Sequence, residues 1–310
     1  MVQSTGLWYN VKSAGVFYKC RIKGKFRLNG LKVTNPVAVG DKVQFYIENE
    51  VEQTGMIKKI FPRENCVLRE SPRRAKHVHL LAANIDQAFV FVTLHTPMLK
   101  LGFIDRFLLM TEPFDIPTYI IVNKADLYTE KDLETFKILK MVYEDIGYGV
   151  LLVSAHSGQG TAEISAILKD KITLISGHSG VGKSTLVNGI QGHLDLKTQE
   201  LSDYSGKGQH TTTFANMYDL DFGGSIIDTP GIKSLSFINM EPLDVAHNFR
   251  EFFQFSKECK FSNCLHINEP QCAVKHAIEI GQICEWRYQN YLAVMNETQS
   301  QNHWERNHDL

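Results

Sequence analysis

The rhythm of apolar positions changes twice along this chain. Up to about residue 70, apolar residues come in short runs broken by turns. Gly15-Val16-Phe17-Tyr18 begins one strand, 41–47 forms another, and 51–60 forms a third that is interrupted at Gly55. Asn29-Gly30, Asn35-Pro36 and Gly40-Asp41 are turn signals between them. Several short strands in so short a stretch predict a small β-barrel of the oligonucleotide-binding type, an OB-fold. From about residue 78 the runs lengthen. The continuous apolar stretch 88–92 reads as a strand buried on both faces of a parallel sheet. Phe103, Ile104, Phe107 and Leu108 recur at helical spacing. Strands follow at 118–122 and 150–153, and between them Thr129 with Asp132 caps a helix that Gly147 stops. Alternating strands and helices make this a three-layer α/β region. Another hairpin, 218–220 with 225–227, turns at Gly223-Gly224. Residues 273–299 read as mainly helical, with Trp286, Tyr288 and Tyr291 in the core, and the tail from Ser300 reads as disordered.

Candidate chemistry sits at the ends of these strands. After the apolar run 172–175 comes Gly177-His178-Ser179-Gly180-Val181-Gly182-Lys183-Ser184, followed by Thr185 and a helix-compatible run. This is a phosphate loop, G-x-x-x-x-G-K-[ST], in its strand–loop–helix setting. Its glycines let successive N–H groups turn inward on phosphate oxygens, and the following helix adds the positive end of its dipole. Lys183 reaches the β- and γ-phosphates, and the Ser184 hydroxyl binds Mg²⁺. The strand 118–122 ends in Asn123-Lys124-Ala125-Asp126, an N-K-x-D guanine reader. Its carboxylate accepts from the ring N1–H and the 2-amino group, a pair of donors that adenine does not offer together. The strand 150–153 ends in Ser154-Ala155, which fits the second base-contacting loop.

In the usual GTPase order the phosphate loop precedes N-K-x-D. Here it follows, so the motif order is circularly permuted. Residues 198–208 read as a mobile polar loop leading into Gln209-His210-Thr211-Thr212-Thr213. A threonine there completes Mg²⁺ coordination; Thr212 is the first choice and Thr211 the second. Asp228-Thr229-Pro230-Gly231 follows, with Asp228 holding Mg²⁺ through water and the Gly231 N–H meeting the γ-phosphate. Ile232-Lys233-Ser234 then replaces the glutamine that orients water in Ras-like enzymes. His210 is the nearest substitute, unless it merely packs beside the loop. Slow intrinsic hydrolysis, accelerated by a partner, is the expectation.

Charge and composition refine the partner. The 310 residues are 43% apolar and 22% charged, ordinary for a globular chain, and the net charge is −1. Nucleic-acid binding must therefore come from local patches. Lys19, Arg21, Lys23, Lys25 and Arg27 alternate with Cys20, Ile22, Gly24 and Phe26, so a strand would line five cations on one face. Such a face fits RNA phosphates, or else is a solvated surface. The second basic stretch, Lys58-Lys59, Arg63, Arg69, Arg73, Arg74 and Lys76, is diluted by Glu64 and Glu70 and reads as a linker. No apolar run approaches the ~20 residues of a membrane span, and no secretory signal is evident. Cys259, Cys264, His266 and Cys272 supply a Cys₃His donor set for one structural Zn²⁺, which suits a reducing cytoplasm.

Taken together, these motifs and their order resemble the RsgA (YjeQ) family over nearly the whole chain. The resemblance implies a cytoplasmic GTPase that binds the 30S ribosomal subunit and its 16S rRNA late in assembly, with GTP hydrolysis stimulated by the subunit and timing release. It implies GTP/GDP, Mg²⁺ and one structural Zn²⁺ as cofactors, zinc ligands at Cys259, Cys264, His266 and Cys272, and a monomer. The expected organisation is an OB-fold over 1–72, a circularly permuted α/β P-loop GTPase domain over 73–238, and a mainly helical zinc-binding domain over 239–310. Two alternatives remain from the residues alone: a P-loop small-molecule kinase, and an RNA-binding module that holds GTP structurally.

Overall fold

The computed structural model describes residues 1–4, 7–22, 35–70, 78–191, 215–229 and 240–306. Among the described residues, five strands build the N-terminal unit: β1 (Gln3–Ser4), β2 (Tyr9–Ser13), β3 (Val16–Ile22), β4 (Val43–Asn49) and β5 (Thr54–Ile60). Their order is β1-β2-β3-β5-β4, with β3 and β5 parallel and the other neighbours antiparallel. Tyr9, Val11, Cys20, Val37 and Ile57 form its core. The expected OB-type unit is present. Gly55, however, lies inside β5 rather than interrupting it, because a Cβ there would meet the Tyr46 carbonyl oxygen at 2.7 Å. A glycine is required by close approach, not by a turn.

The stretch read as a basic linker contains structure. β6 (Cys66–Glu70) and β7 (Val78–Ala83) form an antiparallel pair, and Val67 and Ala82 are fully buried. Arg63 is not a free cation. Its guanidinium makes two 2.7 Å bonds to buried Asp41 and donates to the Pro36 carbonyl.

Among the described residues, six strands form the central sheet: β8 (Gln87–Val92), β9 (Thr118–Val122), β10 (Gly149–Leu152), β11 (Ile172–Gly177), β12 (Asn216–Asp219) and β13 (Ser225–Asp228). Their order is β10-β9-β8-β11-β13-β12; β12 is antiparallel to β13 and the other pairs are parallel. Both faces are covered, which is why β8 is apolar from Ala88 to Val92, while buried Gln87 at its start donates to the Ile167 carbonyl and the Thr173 hydroxyl. Ala88, Val90 and Val92 face a core shared with α1 (Leu101–Thr111) and α2 (Glu130–Asp145). Phe89 and Phe91 face the opposite core, shared with α3 (Thr161–Leu168) and α4 (Lys183–Ile190). The capping box expected at Thr129 and Asp132 starts α2, and Gly147 follows its end at φ +87°.

The two sheets are continuous. β1 pairs with β12 through Gln3 and Asn216, and the Met217 N–H donates to Val2 at 2.8 Å. Lys12 pairs with Asp219 beside this seam. The N-terminal unit thus hangs from β12, the strand that follows the threonine-bearing segment in sequence.

The C-terminal unit comprises α5 (Pro242–His247), α6 (Arg250–Ser256), α7 (Ala273–Glu279) and α8 (Glu285–Arg306). Helix α8 runs past Ser300, so the backbone expected to be disordered continues the helix to Arg306. Among the described residues no helix is long and apolar enough to cross a membrane.

Candidate functional site

The phosphate loop lies between β11 and α4, where the sequence predicts it. Gly180 and Gly182 adopt φ of +82° and +91°, conformations that strain any residue with a Cβ. At Gly182 the demand is double, since a Cβ would also lie 2.3 Å from Asn123 Nδ2. Gly177 has Phe91 against it, with the Phe91 carbonyl oxygen 2.5 Å from a hypothetical Cβ. Ser179 and Gly180 are exposed at the loop's tip, Val181 is buried beneath it, Ser184 is half-buried and Thr185 exposed.

Asn123 closes β9 and ties three loops together. Its Nδ2 donates to the Val181 carbonyl at 2.8 Å, and its Oδ1 accepts from the Ala155 N–H at 3.0 Å. The base-side tetrapeptide, the Ser154-Ala155 loop and the phosphate loop are thereby one assembly. Tyr128 supports it from behind, accepting from the Leu94 N–H at 2.9 Å and donating to the Asn123 carbonyl. Sequence reading missed Tyr128, whose role is set by a contact 34 residues away. Lys124 turns left-handed at φ +72°, and its Nζ donates to the Thr96 carbonyl at 2.6 Å. Ala125 hangs on the next strand end through its N–H to the Val153 carbonyl, 3.0 Å. The buried Ser154 hydroxyl donates to Asp126 Oδ1, and His156 Nδ1 lies 3.9 Å from Oδ2.

At the other end, the Lys183 Nζ donates to the Gly177 and His178 carbonyls at 2.8 and 3.1 Å. Burial lowers its pKa, opposed by Asp228. Burial raises the pKa of Asp228, opposed by Lys183. Asp228 Oδ1 is buried without a hydrogen-bond partner among the described residues. An orphaned carboxylate oxygen near a phosphate loop fits the hard-cation ligation, direct or through water, expected for Mg²⁺. Thr229 is buried with its hydroxyl on the Ile175 carbonyl, 3.2 Å. His178 projects away from the loop onto Phe103, with ring centroids 4.1 Å apart. Burial lowers its pKa, with Lys100 and Lys183 adding to the effect, so the ring is neutral near neutral pH. His210, Thr211, Thr212, Gly231 and segment 198–208 lie outside the described residues, as do Lys23, Lys25 and Arg27.

Of the basic strand, β3 presents exposed Lys19 and Arg21 on one face and buried Cys20 on the other, as alternation predicts. Arg21 stacks over Trp8 at 4.0 Å.

The second cluster is compact. The donor atoms of Cys259, Cys264, His266 and Cys272 all lie within 4.8 Å of one another. The Cys259 and Cys272 sulfurs are 3.9 Å apart, and His266 Nδ1 sits 3.3 Å from the Cys272 sulfur. Tetrahedral zinc with ~2.3 Å Zn–S bonds needs sulfur separations of about 3.8 Å, so the set fits. Burial pushes His266 down to about 4, the neutral form a ligand needs, and pushes the Cys264 thiol up to about 12, so a zinc ion would have to displace that thiol proton on binding. Tyr288 and Tyr291 donate to the His266 and Leu265 carbonyls at 2.8 and 2.7 Å, and so brace the loop as core residues. Trp286 is half-buried.

Comparison with known proteins agrees with this geometry. The model of the RsgA GTPase family matches residues 60–238, and that of the RsgA N-terminal domain matches residues 1–57. A relative from Christiangramia forsetii, described as small ribosomal subunit biogenesis GTPase RsgA, is 48% identical over 295 residues, covering 94% of each chain. One of the same description from Phocaeicola vulgatus is 46% identical over 298 residues, covering 96% of each. The crystal structure of YjeQ from Thermotoga maritima superposes with a TM-score of 0.75 at 35% identity over 96% of both chains. YloQ, described as a circularly permuted GTPase, gives 0.70 at 29% identity over 96% of this chain and 93% of its own. A phosphate loop held by the asparagine of an N-K-x-D motif that precedes it in sequence, and matches over nearly full length, lead to one conclusion: the chain belongs to the RsgA GTPase family of circularly permuted, GTP-hydrolysing enzymes.

Proposed function

We propose that this protein binds the small (30S) ribosomal subunit in the cytoplasm as a monomer, and assists its late maturation. Subunit-stimulated GTP hydrolysis would time its release. The observation that supports the reading is the Asn123–Val181 bond, which ties the base-side and phosphate-side loops together despite their swapped order. The names of the relatives support the ribosomal partner.

In this pocket Asp126 would accept from guanine N1–H and the 2-amino group, with Ser154 fixing one carboxylate oxygen and Ala155 lining the base loop. Gly177 through Thr185 would wrap the phosphates, with Lys183 at the β- and γ-oxygens. Ser184, Asp228 and Thr212 would hold Mg²⁺, which supplies charge neutralisation on the phosphates. The Gly231 N–H would meet the γ-phosphate, and His210 would orient the attacking water. Cys259, Cys264, His266 and Cys272 would hold one structural Zn²⁺. Lys19 and Arg21, with Lys23, Lys25 and Arg27, would meet 16S rRNA phosphates. The domain division 1–72, 73–238 and 239–310 follows the same reading.

Steady-state phosphate release, measured with and without purified small subunits, tests it. The expected result is slow turnover that the subunits accelerate, with a non-hydrolysable GTP analogue favouring co-sedimentation over GDP. A flat response points instead to a module that holds GTP structurally.

A further inference from the structure

Helix α1 belongs to two cores at once. Phe103, Ile104, Phe107, Leu108 and Met110 pack into the core beneath the central sheet. Leu109 packs into the C-terminal core with Val245, Phe249 and Tyr291. At 100° per residue, Phe103 and Asp105 project about 200° apart, yet their Cα atoms are separated by only ~3 Å of helical rise. One short stretch of helix therefore faces two different parts of the molecule.

Each side carries a specific contact. On one, Phe103 packs on His178, the second residue of the phosphate loop, at 4.1 Å. On the other, buried Asp105 accepts from Arg287 Nη1 and Asn290 Nδ2, both at 2.5 Å, and from the Tyr143 hydroxyl at 2.6 Å. Arg287 and Asn290 lie on α8. Arg287 also makes two bonds to Glu251 of α6, at 2.6 and 2.9 Å. Asp105, Glu251 and Arg287 are 1%, 6% and 2% exposed, so this is a buried ionic lock between the two units. Gly102 is fitted to the same surface: a Cβ there would come within 3.3 Å of Asn290 Oδ1. The Arg250–Glu112 pair, 2.5 Å, pins the C-terminal end of α1 to α6. Packed interfaces and buried ion networks shift between discrete arrangements rather than deforming smoothly.

We propose that Phe103, Asp105 and Asn290 are positioning residues that couple the phosphate loop to the C-terminal domain through α1. A load placed on that domain moves α8, α8 moves the Asp105 side of α1, and Phe103 passes the movement to His178 and the loop that grips the phosphates. This inference rests on the proposed stimulation by the small subunit and assigns it a physical route. All three lie outside the loops assigned to the nucleotide, so their role is positional.

The test compares wild type, Asn290→Ala, Phe103→Leu and the double variant, all zinc-loaded and checked by melting temperature. Intrinsic turnover and subunit-stimulated turnover are followed across subunit concentrations. Asn290→Ala should leave intrinsic turnover within about twofold but lower the maximal stimulated rate by about fivefold or more, the lower range of ordinary coupling between sites. The subunit concentration giving half-maximal stimulation should not change. The double variant should lose no more than the worse single, because both cuts sever one route. Phe103→Leu keeps the site apolar while removing the ring that packs on His178, and it carries the test if Asn290→Ala fails to fold. Undiminished stimulation in the folded variants, losses that multiply in the double, or a loss confined to subunit affinity would each overturn the inference. A wild type that subunits do not stimulate defeats the parent reading, and the inference with it.

Discussion

The side-chain amide of Asn123 donates to the Val181 carbonyl at 2.8 Å, although the two residues are 58 apart in sequence. One asparagine at the end of β9 props the phosphate loop from below and, through its side-chain Oδ1, accepts from the Ala155 N–H at 3.0 Å. Asn123 is 1% exposed, so both of its bonds are made away from water. Permutation of the motif order leaves this bond intact because β9 and β11 both present their carboxyl ends at the same edge of a parallel sheet.

Asn123→Ala should therefore damage both ends of the pocket at once. It strands the Val181 carbonyl and the Ala155 N–H, each at about 1–3 kcal/mol. GTP affinity should fall by at least tenfold, and the melting temperature should drop, as read by nucleotide titration and thermal denaturation. Unchanged affinity in a folded variant would show that the strut is dispensable.

Two glycines of the phosphate loop separate backbone strain from collision. Both have positive φ, and a Cβ costs about 1–3 kcal/mol in such regions. At Gly180 the nearest atom to a Cβ is Pro97 Cδ at 3.9 Å, whereas at Gly182 it is Asn123 Nδ2 at 2.3 Å. Gly182→Ala should abolish GTP binding, and Gly180→Ala should only weaken it. Equal losses would contradict the role given to Asn123.

The metal cluster predicts its own chemistry. Elemental analysis should find one zinc ion per chain, and Cys264→Ser should reduce it. Chelation should lower the melting temperature, because a bound structural zinc contributes folding free energy on the order of 10 kcal/mol. Full stability in chelator would mean that the α5–α8 core holds the loop without metal.

These sites differ in how much of them the sequence exposes. The apolar run of β8, the capping box at Thr129 and Asp132, and the two motif loops are local patterns, and each is readable where it stands. β1 and β2 are not, since one has two residues and the other, Tyr9–Ser13, has only two buried side chains. β6 and β7 hide in a segment whose cations suggest a linker. Arg63 shows why that reading fails, for its charge is spent on Asp41, 22 residues earlier. The Asp105–Arg287 pair spans 182 residues and no periodicity announces it. Likewise, the seam between β1 and β12 is set by which edge strand is left open, a property of the finished sheet.

The exposed cations of β3 make a salt-dependent prediction. Lys19→Glu with Arg21→Glu should weaken RNA binding and reduce the slope of log affinity against log salt by about two. An unchanged slope would return this face to ordinary solvated surface and leave the Arg21–Trp8 stack as its only role.

The central claim, that one pocket reads a purine at one end and grips its phosphates at the other, is tested most directly at Asp126. Affinities for GTP, XTP and ATP should be measured side by side for wild type and Asp126→Asn. Wild type should prefer GTP, and the variant should shift toward XTP, because the amide donates where the carboxylate accepted. A site built on such bonds can discriminate by roughly 10⁴-fold. A wild type that prefers ATP, or a variant with unaltered base preference, would contradict the account.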